Sequence, residues 1–183
     1  MPAIRTVITI WPVKGYSPII EQILKSAEPS PIKTSLVTTG HPAHPKITEL
    51  IEETLPAELV APYAINSSIH VDLVKAGLFL WNDDFEQSHA YAQSAHNAEG
   101  SYWHAILHRR EPDYSNAQYW YSRVGSHPVF HKMAKLYPGW KPDHFILQCR
   151  NQKSPGDAAK LLEKQTKEFE LLFEHTFQQA VRK

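Results

Sequence analysis

Two histidines and a glutamate share one predicted helical face in the segment of residues 103–111. His104, His108 and Glu111 stand at positions i, i+4 and i+7 of this segment. At about 100° per residue, their side chains fall within a narrow sector of a helix. Two imidazoles one turn apart can chelate a transition-metal ion, and a nearby carboxylate can complete the ligand set or act as a base. The spacing therefore predicts a metal site or a group of proton carriers on this face.

The preceding segment adds a third histidine, His89, on a second predicted helix. The connection of residues 97–100 is short and contains a glycine, so we expect the two helices to form an antiparallel hairpin. Folding about this connection puts His89 level with Leu107 and His108, and Gln93 level with Trp103 and His104, so that two polar faces meet. We therefore predict one pocket whose metal ligands are His89, His104, His108 and Glu111, with a coordination position left for water or substrate.

The same residues also allow an interpretation without a metal. The segment has no His-Glu-x-x-His motif, so the general base of the zinc proteases is missing. The histidines would then be hydrogen-bonded residues of a polar seam between two helices. If a metal is bound, mixed imidazole and carboxylate ligation suits Zn, Fe, Mn, Ni or Cu, and the sequence does not choose among them.

Cationic and aromatic residues near this pocket are candidates for binding a substrate. Arg110, Tyr119 and Arg123 could hold an anionic ligand, with Glu111 or a histidine as the acid or base. On a helical wheel Arg110 leans toward the apolar side, whereas Arg109 points away from it. We therefore expect Arg110 to be buried against a carboxylate and Arg109 to lie at the surface.

Three classes of function remain open at this point. The first is a metal-dependent enzyme or metal-binding protein that acts on a small molecule through a His/Glu pocket between helices. The second is a metal-free protein that binds a small anionic ligand. The third is a structural or interaction module whose polar seam only specifies packing.

The block from His104 to Phe130, with the sequence HAILHRREPDYSNAQYWYSRVGSHPVF, resembles a segment of an uncharacterised family of microbial proteins. The resemblance extends over about residues 78–131. No activity is assigned to that family. The resemblance therefore implies a coherent domain and no particular chemistry.

Composition and charge exclude several classes of protein. The chain has 183 residues, with 19 basic and 19 acidic side chains, so nothing draws it electrostatically to nucleic acid or an anionic membrane. Its single cysteine, Cys149, rules out an internal disulfide and fits a reducing compartment. The first residues lack the apolar run of a signal peptide, and no segment approaches membrane-spanning length. We therefore expect a cytoplasmic protein with a small-molecule ligand.

Hydrophobic periodicity predicts a mostly α fold, a single-domain bundle of about seven or eight helices over residues 1–183. Residues 1–65 form an N-terminal segment with proline-rich connections, in which residues 5–13 and 34–39 are candidates for a minor β-hairpin. Residues 66–131 form a His-rich core block. Residues 154–181 form a C-terminal scaffold helix that begins at a Ser-Pro-Gly-Asp capping sequence.

Overall fold

The computed structural model describes residues 15–182 of the chain, and these residues are mostly helical. They form eleven helices and two short strands. In chain order the helices are α1 (Pro18–Ser26), α2 (Pro31–Thr34), α3 (Pro45–Glu53), α4 (Pro56–Val60), α5 (Ser68–Trp81), α6 (Phe85–Ser94), α7 (Ala98–Arg110), α8 (Tyr114–Val124), α9 (Pro128–Leu136), α10 (Pro142–Arg150) and α11 (Pro155–Ala180). The strands are β1 (Ala64–Ile65) and β2 (Val181–Arg182).

The helical class is confirmed, but the helix count and the position of the hairpin were wrong. The short helices α2 and α4 lie in proline-rich stretches that the sequence analysis treated as connections. The two strands pair antiparallel, Ala64 opposite Arg182, so the small sheet joins the end of the chain to the segment before α5. Of the predicted N-terminal hairpin, residues 5–13 lie outside the described residues. Residues 34–39 end α2 and continue as a loop.

Proline and serine fix where many of these helices begin. Seven of the eleven helices start with proline, whose fixed φ suits the first helical turn and whose missing N–H would have no partner there. The hydroxyls of Ser17, Ser30 and Ser154 accept hydrogen bonds from the exposed N–H groups of the following turn. Among residues 15–182, seven of the 12 prolines therefore mark helix starts.

Helix α7 lies at the centre of the bundle, between α5, α6, α8 and α11. All residues from Gly100 to Arg110 are buried. The close packing needs a glycine on α5, because a Cβ atom at Gly77 would lie 2.7 Å from Phe173 of α11 and 3.0 Å from Trp103 of α7. The indole of Trp103 also donates a hydrogen bond to Thr176 of α11 at 3.1 Å. Side chains on every face of α7 are thus inside the protein.

The burial of α7 corrects the expectation for its two arginines. Arg109, expected at the surface, is 1% exposed, and its guanidinium donates to Glu168 of α11 and to Tyr121 of α8, both at 2.6 Å. Arg110 is buried as expected, but its carboxylate partner is Asp83 at 2.7 Å. It also donates to the carbonyl of Ser35 at 2.7 Å. Both arginines therefore hold α7 to its neighbours.

Among residues 15–182, no helix combines the length and the apolar composition needed to span a bilayer.

Candidate metal centre

Three imidazoles meet where α6 packs against α7. His89 projects from α6, and His104 and His108 project from α7 one turn apart; we call these three residues the histidine triad. The Nε2 atoms of His89 and His104 are 2.8 Å apart. The ring centroid of His108 lies 4.7 Å from that of His104 and 5.5 Å from that of His89. Each residue can offer one ligand nitrogen such that all three lie within 4.8 Å of one another.

The tight turn between α6 and α7 produces this proximity. Asn97 caps α7 by accepting a hydrogen bond from the N–H of Gly100 at 2.7 Å. A Cβ atom at Gly100 would lie 2.2 Å from the carbonyl oxygen of Ala95, so only glycine lets the chain turn back this closely. The predicted hairpin of two helices is thus present. It brings His89 against His104 and His108, which follow it by 15 and 19 positions in the sequence.

Glu111 lies next to the triad and contacts only one of its members. Its Oε2 atom is 2.9 Å from Nδ1 of His108, and the side-chain amide nitrogen of Asn116 is 3.2 Å from Nε2 of the same ring. A carboxylate acceptor favours the tautomer with the proton on Nδ1, and the amide N–H donates to the lone pair on Nε2. Glu111 therefore fixes the proton of His108 on Nδ1 and leaves the lone pair on Nε2, which could ligate an ion once the Asn116 amide turns away from it. Asp113 lies close enough to join His108 and Glu111 in a second, more exposed grouping.

Burial favours the neutral form of two imidazoles of the triad, His89 and His104. His104 is 3% exposed, and burial, followed by the neighbouring charges of His89 and His108, lowers its pKa to about 3. The pKa of His89 is also lowered, mainly by burial and then by His108. The Nδ1 atom of His104 is buried without a hydrogen-bond partner among the described residues. Neutral imidazoles are the form that metal ions bind.

An open cleft lies beside the triad and contains two of the predicted substrate-binding residues. Trp120 of α8 stacks on the ring of His104, with the ring centroids 4.0 Å apart, and also lines a cleft of about 480 Å³. Tyr119 and Arg123 line the same cleft, and the Arg123 guanidinium lies 5.7 Å from the centre of the Tyr119 ring. Arg110 does not line it, because its guanidinium is bound to Asp83.

A second histidine cluster, absent from the sequence analysis, surrounds Glu99 in the first turn of α7. We call it the Glu99 cluster; its histidines come from α5, from the residue that caps α9, and from α11. The carboxylate oxygens lie 3.2 Å from Nε2 of His175, 3.5 Å from Nε2 of His127 and 3.6 Å from Nε2 of His70. These contacts hold the pKa of Glu99 far below its usual range, with His127 the largest cause, then His175 and His70.

Hydrogen bonds on the far sides of these rings indicate where their protons lie. Nδ1 of His127 accepts from the backbone N–H of Val129 at 3.2 Å, which places the ring proton on Nε2, facing Glu99. Nδ1 of His70 is 2.7 Å from the hydroxyl of Ser67, which can donate to it in the same way. In the Glu99 cluster, imidazole N–H groups therefore point at a carboxylate, and His127 has no free lone pair for a metal.

Comparisons with models of known protein families, with curated proteins and with solved structures gave no match. The resemblance of residues 104–130 to an uncharacterised family thus stays a prediction. The functional argument depends on the geometry of the two histidine clusters and the cleft.

Proposed function

We propose that this protein binds a divalent transition-metal ion through His89, His104 and His108 and uses it to act on a small molecule. Glu111 orients His108 in this proposal, whereas the sequence analysis predicted it as a metal ligand or a base. A water molecule or the substrate fills the remaining coordination position.

The observation that supports this proposal best is the pair of facing nitrogens in the triad. Nε2 of His89 and Nε2 of His104 are 2.8 Å apart. Nitrogens bound to one zinc at 2.0–2.1 Å stand roughly 2.9 Å apart at a right angle and roughly 3.3 Å apart in a tetrahedron. A small movement of either ring would therefore admit an ion between them.

The chemistry of the donor set indicates what such an ion would do. Three protein ligands with an open position are typical of catalytic zinc sites, whereas structural sites use four protein ligands. An ion in this setting polarises a carbonyl or phosphoryl oxygen and lowers the pKa of bound water to about 7. The proposed activity is therefore hydrolysis or hydration of a small molecule.

Metal content tests the proposal directly. Protein produced without a histidine tag should contain close to one equivalent of a transition metal by elemental analysis. After chelation, it should take up one equivalent of Zn²⁺ in competition with a chromophoric chelator. His104→Ala and His108→Ala should each lose this uptake, because each removes a ligand from a three-ligand site. Their far-UV circular dichroism should remain helical.

Two results would reject the metal centre. One is a wild-type protein that neither contains nor takes up a metal. The other is equal uptake by the wild-type protein and both alanine variants. In the second case the ion would be bound elsewhere on the chain.

A further inference from the structure

The charged side chain that lines the cleft beside the triad is positive. The cleft is bordered by the turn between α6 and α7 on one side and by α8 on the other. Among residues 15–182, Arg123 is the only arginine or lysine that lines it, and no aspartate or glutamate does. Within residues 15–182, Arg123 forms a contact with the Tyr119 ring and no salt bridge to a carboxylate. An exposed guanidinium of this kind is available to an anion from solution.

The other lining groups suit a polar ligand with a flat part. Gln93, His96 and Asn97 supply side-chain hydrogen-bonding groups. Tyr119 and Trp120 supply aromatic surface, and the Tyr119 side chain is 53% exposed. The volume of about 480 Å³ is within the usual range for small-molecule sites.

Trp120 connects the cleft to the proposed metal centre. It lines the cleft and stacks on His104 at a centroid distance of 4.0 Å with an angle of 24° between the rings. A ligand in the cleft would therefore lie one indole away from a ring of the triad. A shift of that indole would be felt directly by His104.

We propose that this cleft binds a small organic anion with a flat ring, held by Arg123 and packed on the aromatic side chains of α8. The proposal goes one step beyond the proposed function, on which it depends only for the statement that the anion binds beside a metal centre, separated from it by Trp120. Binding of the anion itself requires only the cleft.

Calorimetric titration with benzoate tests the cleft, with benzamide as a neutral match and cyclohexanecarboxylate as a non-planar match. Metal-free wild-type protein should bind benzoate at a single site, and bind both matched compounds more weakly. Arg123→Gln should weaken benzoate binding by about tenfold or more, because it removes a charge-assisted hydrogen bond. Arg150→Gln, which changes an exposed arginine of α10 outside the cleft, should bind like the wild type.

A second variant separates this proposal from the metal proposal. His89→Ala should lose metal uptake and keep the benzoate affinity of the wild type, since His89 does not line the cleft. No saturable benzoate binding, or equal affinity in Arg123→Gln and wild type, would overturn the cleft while leaving the metal centre in place. Benzoate binding by a wild-type protein that takes up no metal would keep the cleft and overturn its link to a metal reaction.

Discussion

The two histidine clusters that helix α7 helps to form differ in their chemistry as well as in their partners. In the histidine triad, nitrogen faces nitrogen, at 2.8 Å between His89 and His104. In the Glu99 cluster, three Nε2 atoms face carboxylate oxygens at 3.2–3.6 Å. In the first arrangement one ring nitrogen donates its proton to the lone pair of the other, without a carboxylate between them. The second gathers N–H donors around an anion that is already present.

Glu99, His127 and His175 also form a group that could hold a metal ion, but this difference favours the triad as the site of a cation. A carboxylate that accepts several hydrogen bonds is stabilised in its charged form and needs no further partner. A pair of neutral imidazoles can share one proton or one metal ion, and His104 retains a buried, unpartnered Nδ1 in either case. The Glu99 cluster is therefore a structural connection among four helices, and the triad is the site with unused binding capacity.

The largest effect we expect is a complete difference in metal uptake between the clusters. His104→Ala should abolish uptake of Zn²⁺, whereas His175→Ala should keep the wild-type stoichiometry. Both substitutions remove a half-buried or buried imidazole, so the pair controls for the loss of histidine as such. Competition with a chromophoric chelator measures the uptake. Loss of uptake in His175→Ala with retention in His104→Ala would reverse the assignment.

The sequence could predict the triad because its geometry is local. His104 and His108 are one helical turn apart, and a short connection with Gly100 brings His89 back to them. Helical spacing and one turn contain all the information that this juxtaposition needs. The role of Glu111 was open in the sequence because a carboxylate one turn from His108 can reach either the ring or the ion.

The Glu99 cluster could not be predicted in this way. His70, His127 and His175 come from three elements that meet Glu99 only through the packing of the whole bundle. Arg109 was misplaced for a related reason. A helical wheel assumes that one face is exposed to water, and α7 has no such face between Gly100 and Arg110. The partner of Arg109, Glu168, is 59 residues away in the sequence.

The free energy of unfolding of the metal-free protein should depend more on the Glu99 cluster than on the residues at the triad, whereas metal uptake should depend on the triad. Glu99→Ala should lower the free energy of unfolding of the metal-free protein by about 3 kcal/mol, because it removes the carboxylate that faces three partly buried or buried imidazoles. Glu111→Ala should change it by no more than about 0.5–1 kcal/mol, since Glu111 is at the surface. Urea denaturation measures both. Equal losses would show that Glu111 also has a structural role.

Substitutions at Glu111 should change metal affinity by a moderate amount. Removal of a group that orients a ligating histidine typically weakens binding by about 10–100-fold. We expect Glu111→Ala to show this loss and Glu111→Gln a smaller one, because an amide oxygen still accepts from Nδ1 of His108. Asp113→Asn is the matched control and can still cap α8. If Asp113→Asn weakens binding as much as Glu111→Ala, the ion lies in the more exposed grouping of His108, Glu111 and Asp113.

The smallest effect, and the one that compares the clusters within one experiment, is the pH dependence of stability in the metal-free protein. His104 has a folded-state pKa of about 3 against an ordinary value of 6.5. As the pH falls below about 6.5, the unfolded chain takes up a proton that the folded protein does not, so stability declines by at most about 1.4 kcal/mol per pH unit. Glu99 has a lowered pKa, so its contribution is present above the ordinary value of 4.5 and is lost as the pH falls below it.

The two windows overlap only below about pH 4.5, because the His104 contribution is lost between about pH 6.5 and 3 and that of Glu99 below 4.5. Urea denaturation in the presence of a chelator therefore separates the clusters above pH 4.5. Between pH 6.5 and 5 the decline in stability should be reduced in His104→Ala and unchanged in Glu99→Gln. Between pH 4.5 and 3 the free energy of unfolding should fall less steeply with pH in Glu99→Gln, because the ionising carboxylate is gone. The lowered pKa of His89 adds to the decline in stability between pH 6.5 and 5 and not to the effect of Glu99→Gln. If Glu99→Gln flattened the profile near pH 6 and His104→Ala did not, His104 would not be the neutral, desolvated imidazole on which the metal proposal depends.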